Sequence, residues 1–280
     1  MNMDKKYTTI IPTYNRPFSY VKRALDSVIA QTRPASEIII VDDNPNNCVL
    51  SCELKDHLGE YQNVTYLKQD GNRGACAARN LGILHASTEF VAFLDDDDIW
   101  LPEKSELQLL VFSDDVDMVY CRGYLQDAFG HTTSYYPSQS FLDSVSFSDE
   151  LTYDYIGSTS QAMIRRSCLL GVHGFDISLP ARQDYDLWLR LALQYKIIGI
   201  RDKLFIHYMH KDGQITSDPH KALTGYRILY SKYKKYYQQN KEAKMSILYW
   251  LTSASKKAHS VLYVYYRMQL FLKRISSNRK

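Results

Sequence analysis

The hydrophobic positions of the chain fall into short blocks whose period switches between about two and about 3.6 residues. A β-branched run at 7–11 predicts a first strand, and behind it Val21, Leu25, Val28 and Ile29 recur at helical spacing. Residues 36–41 are nearly continuous in Ile and Val, the pattern of a strand covered on both faces, and the run stops at Asp42-Asp43-Asn44-Pro45. The same reading predicts a helix at 49–58, a strand at 64–67, a helix at 74–86, a strand at 90–94 and a helix with Pro102 in its first turn. Strand alternating with helix four times in succession implies an α/β fold, a doubly wound, mostly parallel sheet with flanking helices.

From 120 to 153 the pattern dissolves into polar and aromatic residues, which predicts a long functional loop or a small subdomain. A strand is expected at 158–164. A helix beginning near Asp184 then puts Leu187, Leu191, Ala192 and Tyr195 on one face, and strands follow at 197–200 and 204–208. Residues 219–280 read as two or three Tyr- and Lys-rich helices, a C-terminal appendage to a unit spanning 1–218.

Charge sharpens that division. The net charge of +3 conceals fourteen Lys or Arg against one acid, Glu242, from 221 onward, a net of +13, whereas the first 220 residues carry −10. Five Cys without paired spacing argue against a disulfide scaffold or a zinc site and for a reducing cytosol. The polar N-terminus and the lack of any long apolar run predict neither a signal peptide nor a membrane span.

In open α/β sheets ligands bind beyond the carboxyl ends of the strands. The residues there are Pro12-Thr13-Tyr14-Asn15-Arg16, Asp42-Asp43 and Asp95-Asp96-Asp97-Asp98. A solvated acidic turn is the plain reading of the last. It directly follows an apolar strand and precedes Ile99-Trp100-Leu101, however, so burying it uncompensated would be costly. Hard oxygen ligands suit Mg²⁺ or Mn²⁺, held by one or two carboxylates together with substrate phosphates. Neither GxxxxGK[ST] nor GxGxxG occurs, which disfavours a P-loop ATPase or a Rossmann dehydrogenase. A metal neutralising a ligand diphosphate points instead to a nucleotide-sugar enzyme.

The ordered motifs resemble those of family 2 glycosyltransferases. They are Ile10-Ile11-Pro12-Thr13-Tyr14-Asn15-Arg16, Ile40-Val41-Asp42-Asp43-Asn44, Asn72-Arg73-Gly74 with Ala78-Arg79-Asn80, and Phe93-Leu94-Asp95-Asp96-Asp97-Asp98. The likeness resumes at Gly174-Phe175-Asp176 and Gln183-Asp184-Tyr185-Asp186-Leu187-Trp188. It implies a GT-A fold with a nucleotide-binding half at 1–112 and an acceptor and catalytic half at 113–218. It also implies a nucleoside diphosphate sugar donor, commonly a UDP-hexose, Mn²⁺ or Mg²⁺, and inversion at the anomeric carbon. By the same resemblance Pro12, Thr13 and Tyr14 line the base pocket, Asp43 accepts a hydrogen bond from the nucleobase, and Arg73, Arg79 and Asn80 sit near the nucleotide. Asn15 and Arg16 are either nucleotide contacts or turn and cap residues. The Asp-x-Asp motif maps onto Asp95 and Asp97 as metal ligands, with Asp96 supporting the ribose or the ion, and Asp98 leaves the register open by one residue.

Inversion in one step needs a base for the acceptor hydroxyl. Asp184 matches the family position, with Gln183 in place of the commoner acid before it; helix capping is the plain alternative, and Asp186 is the fallback. His207 and His210, with Lys211, Gln214 and Thr216, resemble stretches that approach the diphosphate, although a His at a strand end is commonly structural. The family setting is bacterial polysaccharide or glycolipid assembly on the cytoplasmic face of the membrane, with a glycan or lipid-linked acceptor.

Two other readings are an enzyme of nucleotidyl transfer and a silent module gripping nucleic acid through the basic tail. Pro12-Thr13-Tyr14 stands where the first would carry a Gly-rich loop. The second is disfavoured because the tail Tyr residues lie among Leu, Ile and Val and the rest of the chain is acidic, so no nucleic acid is expected. Val261, Val264, Tyr265, Met268, Leu272 and Ile275 recur at helical spacing among basic residues. An amphipathic helix within 241–280 that binds an anionic membrane is the expectation; packing on the catalytic unit, or on a second copy as a homodimer, is the alternative.

Overall fold

The computed structural model describes residues 5–46, 48–134, 141–209 and 218–277, with side chains to 273. Strands β1 (Tyr7–Thr13), β2 (Glu37–Asp42), β3 (Val64–Lys68) and β4 (Phe90–Phe93) alternate with helices α1 (Phe18–Ile29), α2 (Val49–Leu58) and α3 (Ala75–His85). They pair in parallel in the order β3-β2-β1-β4. Successive residues of β2 face opposite sides. Ile38 and Ile40 join Val21, Leu25 and Val28 of α1 in one core, and Ile39 and Val41 join Ile83 of α3 in another. Gly82 lets α3 lie against β1, since a Cβ there would stand 2.6 Å from Ile10 Cγ2.

The second half changes direction. β5 (Ile99–Trp100) is followed by α4 (Lys104–Val111), β6 (Met118–Gln126), β7 (Thr132–Ser134), β8 (Ser144–Val145) and α5 (Phe147–Thr152). A 3-10 turn at 159–161 leads into β9 (Ala162–Arg165), α6 (Arg166–Gly171), α7 (Gln183–Ala192) and β10 (Ile197–Tyr208). β9 runs antiparallel between β4 and β6, β10 lies parallel to β6, and β5 closes that edge antiparallel to β10. The α/β class is as expected, with parallel pairing in the first half and between β6 and β10, and antiparallel strands joining the two.

Three local expectations change and one alternative is settled. Pro102 precedes α4 instead of opening it, because β5 pairs with β10 and the chain must turn at 102–103 before Lys104. The described part of 120–153 is β6, β7, β8 and α5 with short connections, the small subdomain rather than the long loop, and 135–140 lie outside the described residues. The strand expected at 158–164 is half 3-10 turn, and the two strands at 197–208 are one, with register shifts after Ile200 and Lys203.

Beyond the sheet come four helices among the described residues, α8 (Pro219–Lys232), α9 (Lys234–Gln239), α10 (Lys241–Lys257) and α11 (Leu262–Ser277). They form a third core in which Tyr226, Leu229, Tyr237, Ile247, Leu248 and Leu251 pack with Leu151 of α5 and Tyr185 and Leu189 of α7. Helix α7 therefore faces two cores, with Leu187, Trp188 and Leu191 buried toward the sheet. None of the described helices is long and apolar enough to cross a membrane.

Candidate active site

Parallel pairing brings the carboxyl ends of β1, β2 and β4 to one edge: Thr13 is in register with Asp42, and Ile10 with Phe93 just before the acidic turn. Each of the four acids then has its own partners. Asp95 binds Arg79 Nη2 at 2.5 Å and accepts from Thr159 Oγ1 at 3.3 Å. Asp96 accepts from Thr13 Oγ1 at 2.7 Å, and burial, reinforced by the neighbouring Asp97 charge, pushes it up to about 7. Asp97 binds Arg16 Nη2 at 2.7 Å while Arg23 Nη2 donates to its carbonyl at 2.9 Å. Asp98 is wholly buried, takes the Ser160 hydroxyl at 2.7 Å and lies 2.9 Å from His207 Nδ1. Burial raises Asp98 to about 6. It works to lower His207 too, but the bond and charge of Asp98 prevail and lift the imidazole to about 9. Asp98 and His207 are thereby committed to each other.

The four acids differ in their ties, although Arg16 also reaches Asp96 at 3.6 Å and that side chain keeps 10% of its surface. Asp98 anchors the turn to β10, Asp96 is tied inward to β1, and Asp95 and Asp97 keep more exposed surface, 28% and 13% of the side chain. Among the described residues no three His, Cys, Asp or Glu side chains are arranged to hold a metal by themselves. Two partly exposed carboxylates beside an acid raised by burial, and further by Asp97, nonetheless match a cation completed by phosphate oxygens.

Around this turn the expected nucleotide residues divide. Asp43 is buried and accepts from Gln69 Nε2 at 2.5 Å and from the Arg73 and Gly74 amides at 2.8 Å each, so it shapes the 69–74 loop. Pro12 lies within β1, Tyr14 is 47% exposed at the edge, and Asn15 takes a left-handed φ of 51° with its amide on Asn44 Oδ1. The Arg73 side chain points outward, 3.8 Å from Asp70. Asn80 clamps Phe175, donating to its carbonyl at 2.9 Å and accepting from its amide at 2.7 Å, a structural task. His210 lies outside the described residues.

Asp184 sits in the first turn of α7, after Arg182 in the left-handed conformation at φ 65°. Burial raises its pKa, opposed by Arg182 and Arg79, with Asp95 adding to the rise. Arg79 and Asp95 at the acidic turn are thus among the charges that act on this carboxylate, more than eighty residues along the chain. Asp186 is different. It is fully buried, bound to Arg190 Nε at 2.8 Å and Lys232 Nζ at 2.7 Å, and accepts from the Tyr233 hydroxyl at 3.1 Å, so it fastens α8 to α7. Thr159, Ser160 and Asp154 were not anticipated. Asp154 follows α5, and burial and the Asp184 charge push it up to about 6. Their segment carries no motif, although Ser146-x-x-Asp149, which forms a capping box on α5, was a readable helix start.

A nucleotide-binding sheet with an acidic turn at its carboxyl edge and a facing helix-borne carboxylate has the architecture of a GT-A transferase. Residues 8–169 match Glycosyl transferase family 2, and the chain belongs to that family; it is a glycosyltransferase. It is 32% identical over 257 residues to the putative colanic acid biosynthesis glycosyl transferase WcaA of Escherichia coli, covering 85% of each chain. It is 28% identical over 241 residues to an uncharacterized glycosyltransferase of Methanocaldococcus jannaschii, 83% of this chain and 81% of that one. The fold is shared with S. aureus TarS 1–349, crystallised in complex with UDP-GlcNAc: TM-score 0.63 at 16% identity over 96% of this chain and 89% of that chain.

Proposed function

We propose that the protein moves a sugar from a nucleoside diphosphate sugar, a UDP-hexose, to a hydroxyl of a glycan or lipid-linked acceptor, in one displacement with inversion. The observation that carries this reading is the acidic turn at the carboxyl edge of β1, β2 and β4, where Asp95 and Asp97 pair with Arg79 and Arg16; Asp184, in the first turn of α7, is the carboxylate we assign as base. The UDP-GlcNAc complex of TarS supports the donor class, and the named role of WcaA supports a polysaccharide acceptor.

Thr13 and Tyr14 border the base, with Asp43 holding the loop that closes over it. Asp97 and Asp95 would hold Mn²⁺ or Mg²⁺, which would supply positive charge for the leaving diphosphate. Arg16 and Arg79, already paired with those carboxylates, orient them and add positive charge on the same side. Asp184 removes the proton from the acceptor hydroxyl as it attacks. The test is a screen of nucleotide sugars for transfer and slow hydrolysis, with the anomeric configuration of the product read by NMR. A retained configuration, or no nucleoside diphosphate binding with Mn²⁺ present, overturns the proposal.

We propose further that α11 rests on an anionic membrane surface. Val264, Tyr265, Met268, Phe271 and Leu272 are all more than half exposed, while Tyr266 and Leu270 on the other face are buried. Arg267 and Lys273 are exposed on the same helix and Lys256 and Lys257 are exposed in the last turn of α10, a basic complement to lipid phosphates. Of the remaining stripe residues, Val261 is 89% exposed just ahead of α11, and the Ile275 side chain lies outside the described residues.

A further inference from the structure

Lys104, Gln108, Ser158, Ser160 and Gln161 are all buried, and hydrogen bonds join them in one network that ends on the acidic turn. Lys104 Nζ donates to Gln108 Oε1 at 2.6 Å, and Gln108 Nε2 donates to the Val119 and Gln161 carbonyls at 2.9 and 2.8 Å. The Gln161 side chain reaches the Cys121 carbonyl through Nε2 at 2.6 Å and takes the Ser158 amide on Oε1 at 3.0 Å. Ser158 Oγ in turn accepts from the Ser160 amide at 3.2 Å. Buried polar groups are costly unless each is satisfied, and apolar residues would fill the space without that demand. What the network adds over apolar filling is direction: it fixes where the Ser160 hydroxyl points.

That hydroxyl straps both ends of the acidic turn. The turn is closed by the Asp98 amide donating to the Asp95 carbonyl at 3.0 Å, and Ser160 Oγ accepts from the Asp95 amide at 3.2 Å while donating to the Asp98 carboxylate at 2.7 Å. Trp100 Nε1 holds the Ser160 carbonyl at 3.1 Å. Thr159 acts on the side chain instead. It donates to Asp95 Oδ1 at 3.3 Å, the same oxygen that takes Arg79 Nη2, and among the described residues none donates to Asp95 Oδ2. The carboxylate is thus held by one oxygen, with 28% of the side chain exposed.

We propose that Ser160 and Thr159 are positioning residues for the cation: Ser160 sets the backbone of the turn, and Thr159 with Arg79 occupies Oδ1 of Asp95 so that Oδ2 is left to the ion. The proposal rests on Asp95 and Asp97 being the cation's ligands. Groups that orient a ligating carboxylate govern affinity for the ion along with the ligand itself. The cation site is then built from both halves of the catalytic unit, with ligands from the turn after β4 and their alignment from the turn before β9.

The test measures UDP affinity of the full chain by calorimetry with saturating Mn²⁺ and again in EDTA, so that the ratio reports the ion, alongside the urea midpoint of each variant. Thr159→Val keeps the shape and loses the donor, whereas Thr159→Ser keeps the donor. Thr159→Val should reduce the Mn²⁺-dependent ratio roughly tenfold, the low end of the roughly 10–100-fold cost of losing such a partner, with UDP affinity in EDTA unchanged and Thr159→Ser retaining the ratio. Ser160→Ala should reduce it at least as far; if that variant does not fold, Thr159→Val decides. A ratio unchanged in Thr159→Val but lost in Asp95→Asn overturns the positioning role and leaves the cation reading standing. An equal fall in UDP affinity with and without Mn²⁺ overturns it too, because it marks a structural role. If the unaltered protein shows no Mn²⁺ dependence, or Asp95→Asn keeps it, the cation reading beneath falls as well.

Discussion

Replacing Asp186 by Ala and Asp184 by Asn should separate fastening from chemistry on one helical turn. Asp186 is completely buried and neutralises Arg190 and Lys232 while accepting from Tyr233. Breaking a buried ion pair from one side costs about 3–5 kcal/mol. Both cations keep other partners, Arg190 the Val172 and Gly174 carbonyls at 2.6 Å and Lys232 the Asp176 carboxylate at 3.1 Å, which places Asp186→Ala near the low end. About 3 kcal/mol is a large share of the ~5–15 kcal/mol typical of a folded domain and lowers the folding constant more than a hundredfold. Asp184→Asn removes a charge that burial disfavours and keeps the shape, so stability should hold or rise slightly while transfer falls roughly 10²–10⁴-fold. Urea midpoints followed by far-UV circular dichroism, alongside turnover under conditions where both variants are folded, measure the two effects. An unchanged midpoint for Asp186→Ala, or an Asp184→Asn loss of stability equal to it, would refute the assignment of roles.

Asp97→Ala should remove the Mn²⁺-dependent part of UDP affinity with little change in midpoint; full activity in EDTA contradicts it. Lys104 is buried with its ammonium 4.0 Å from the Trp100 ring centre, and burial lowers it from 10.5 to about 8. The folded chain therefore sheds this proton before the unfolded chain does. The penalty for burying the charge is complete below pH 8 and is relieved as pH rises toward 10.5, a gain of about 3 kcal/mol that Lys104→Met should abolish in denaturation series across that window. Phe271→Glu with Leu272→Glu should release the protein from anionic liposomes in sedimentation without changing its mass in solution; a fall from dimer to monomer instead would assign the stripe to a second copy.

The first hundred residues are legible because parallel strands covered on both faces read as unbroken Ile and Val runs, and α1 shows a clear apolar stripe at Val21, Leu25 and Val28. The acidic turn is legible for the same reason: it interrupts an apolar context. The second half hides because its partners are remote. β5 is two residues long and exists only by pairing with β10, and β10 bends through register shifts that break its alternation. The tail helices look like a separable appendage because their buried positions are Tyr and Ala as well as Leu, and only the folded chain shows Tyr226 and Tyr237 inside. Asp184 and Asp186 are indistinguishable by residue type, and their division of labour depends on Lys232 and Tyr233, which no local pattern connects to them.

Because α7 is packed into the sheet on one side and into the tail on the other, grafting has a natural limit in this protein. A chimera joined at residue 218 would lay a foreign set of helices against Tyr185, Asp186 and Leu189, and so retune the angle of the turn that bears Asp184. A swap that ends before Arg182 keeps the contacts of α7 with the tail but lays foreign residues against Leu187, Trp188 and Leu191. Chains recombined without loss of the fold should therefore carry α7 and the helices after it as one cassette, with the junction upstream of Asp184.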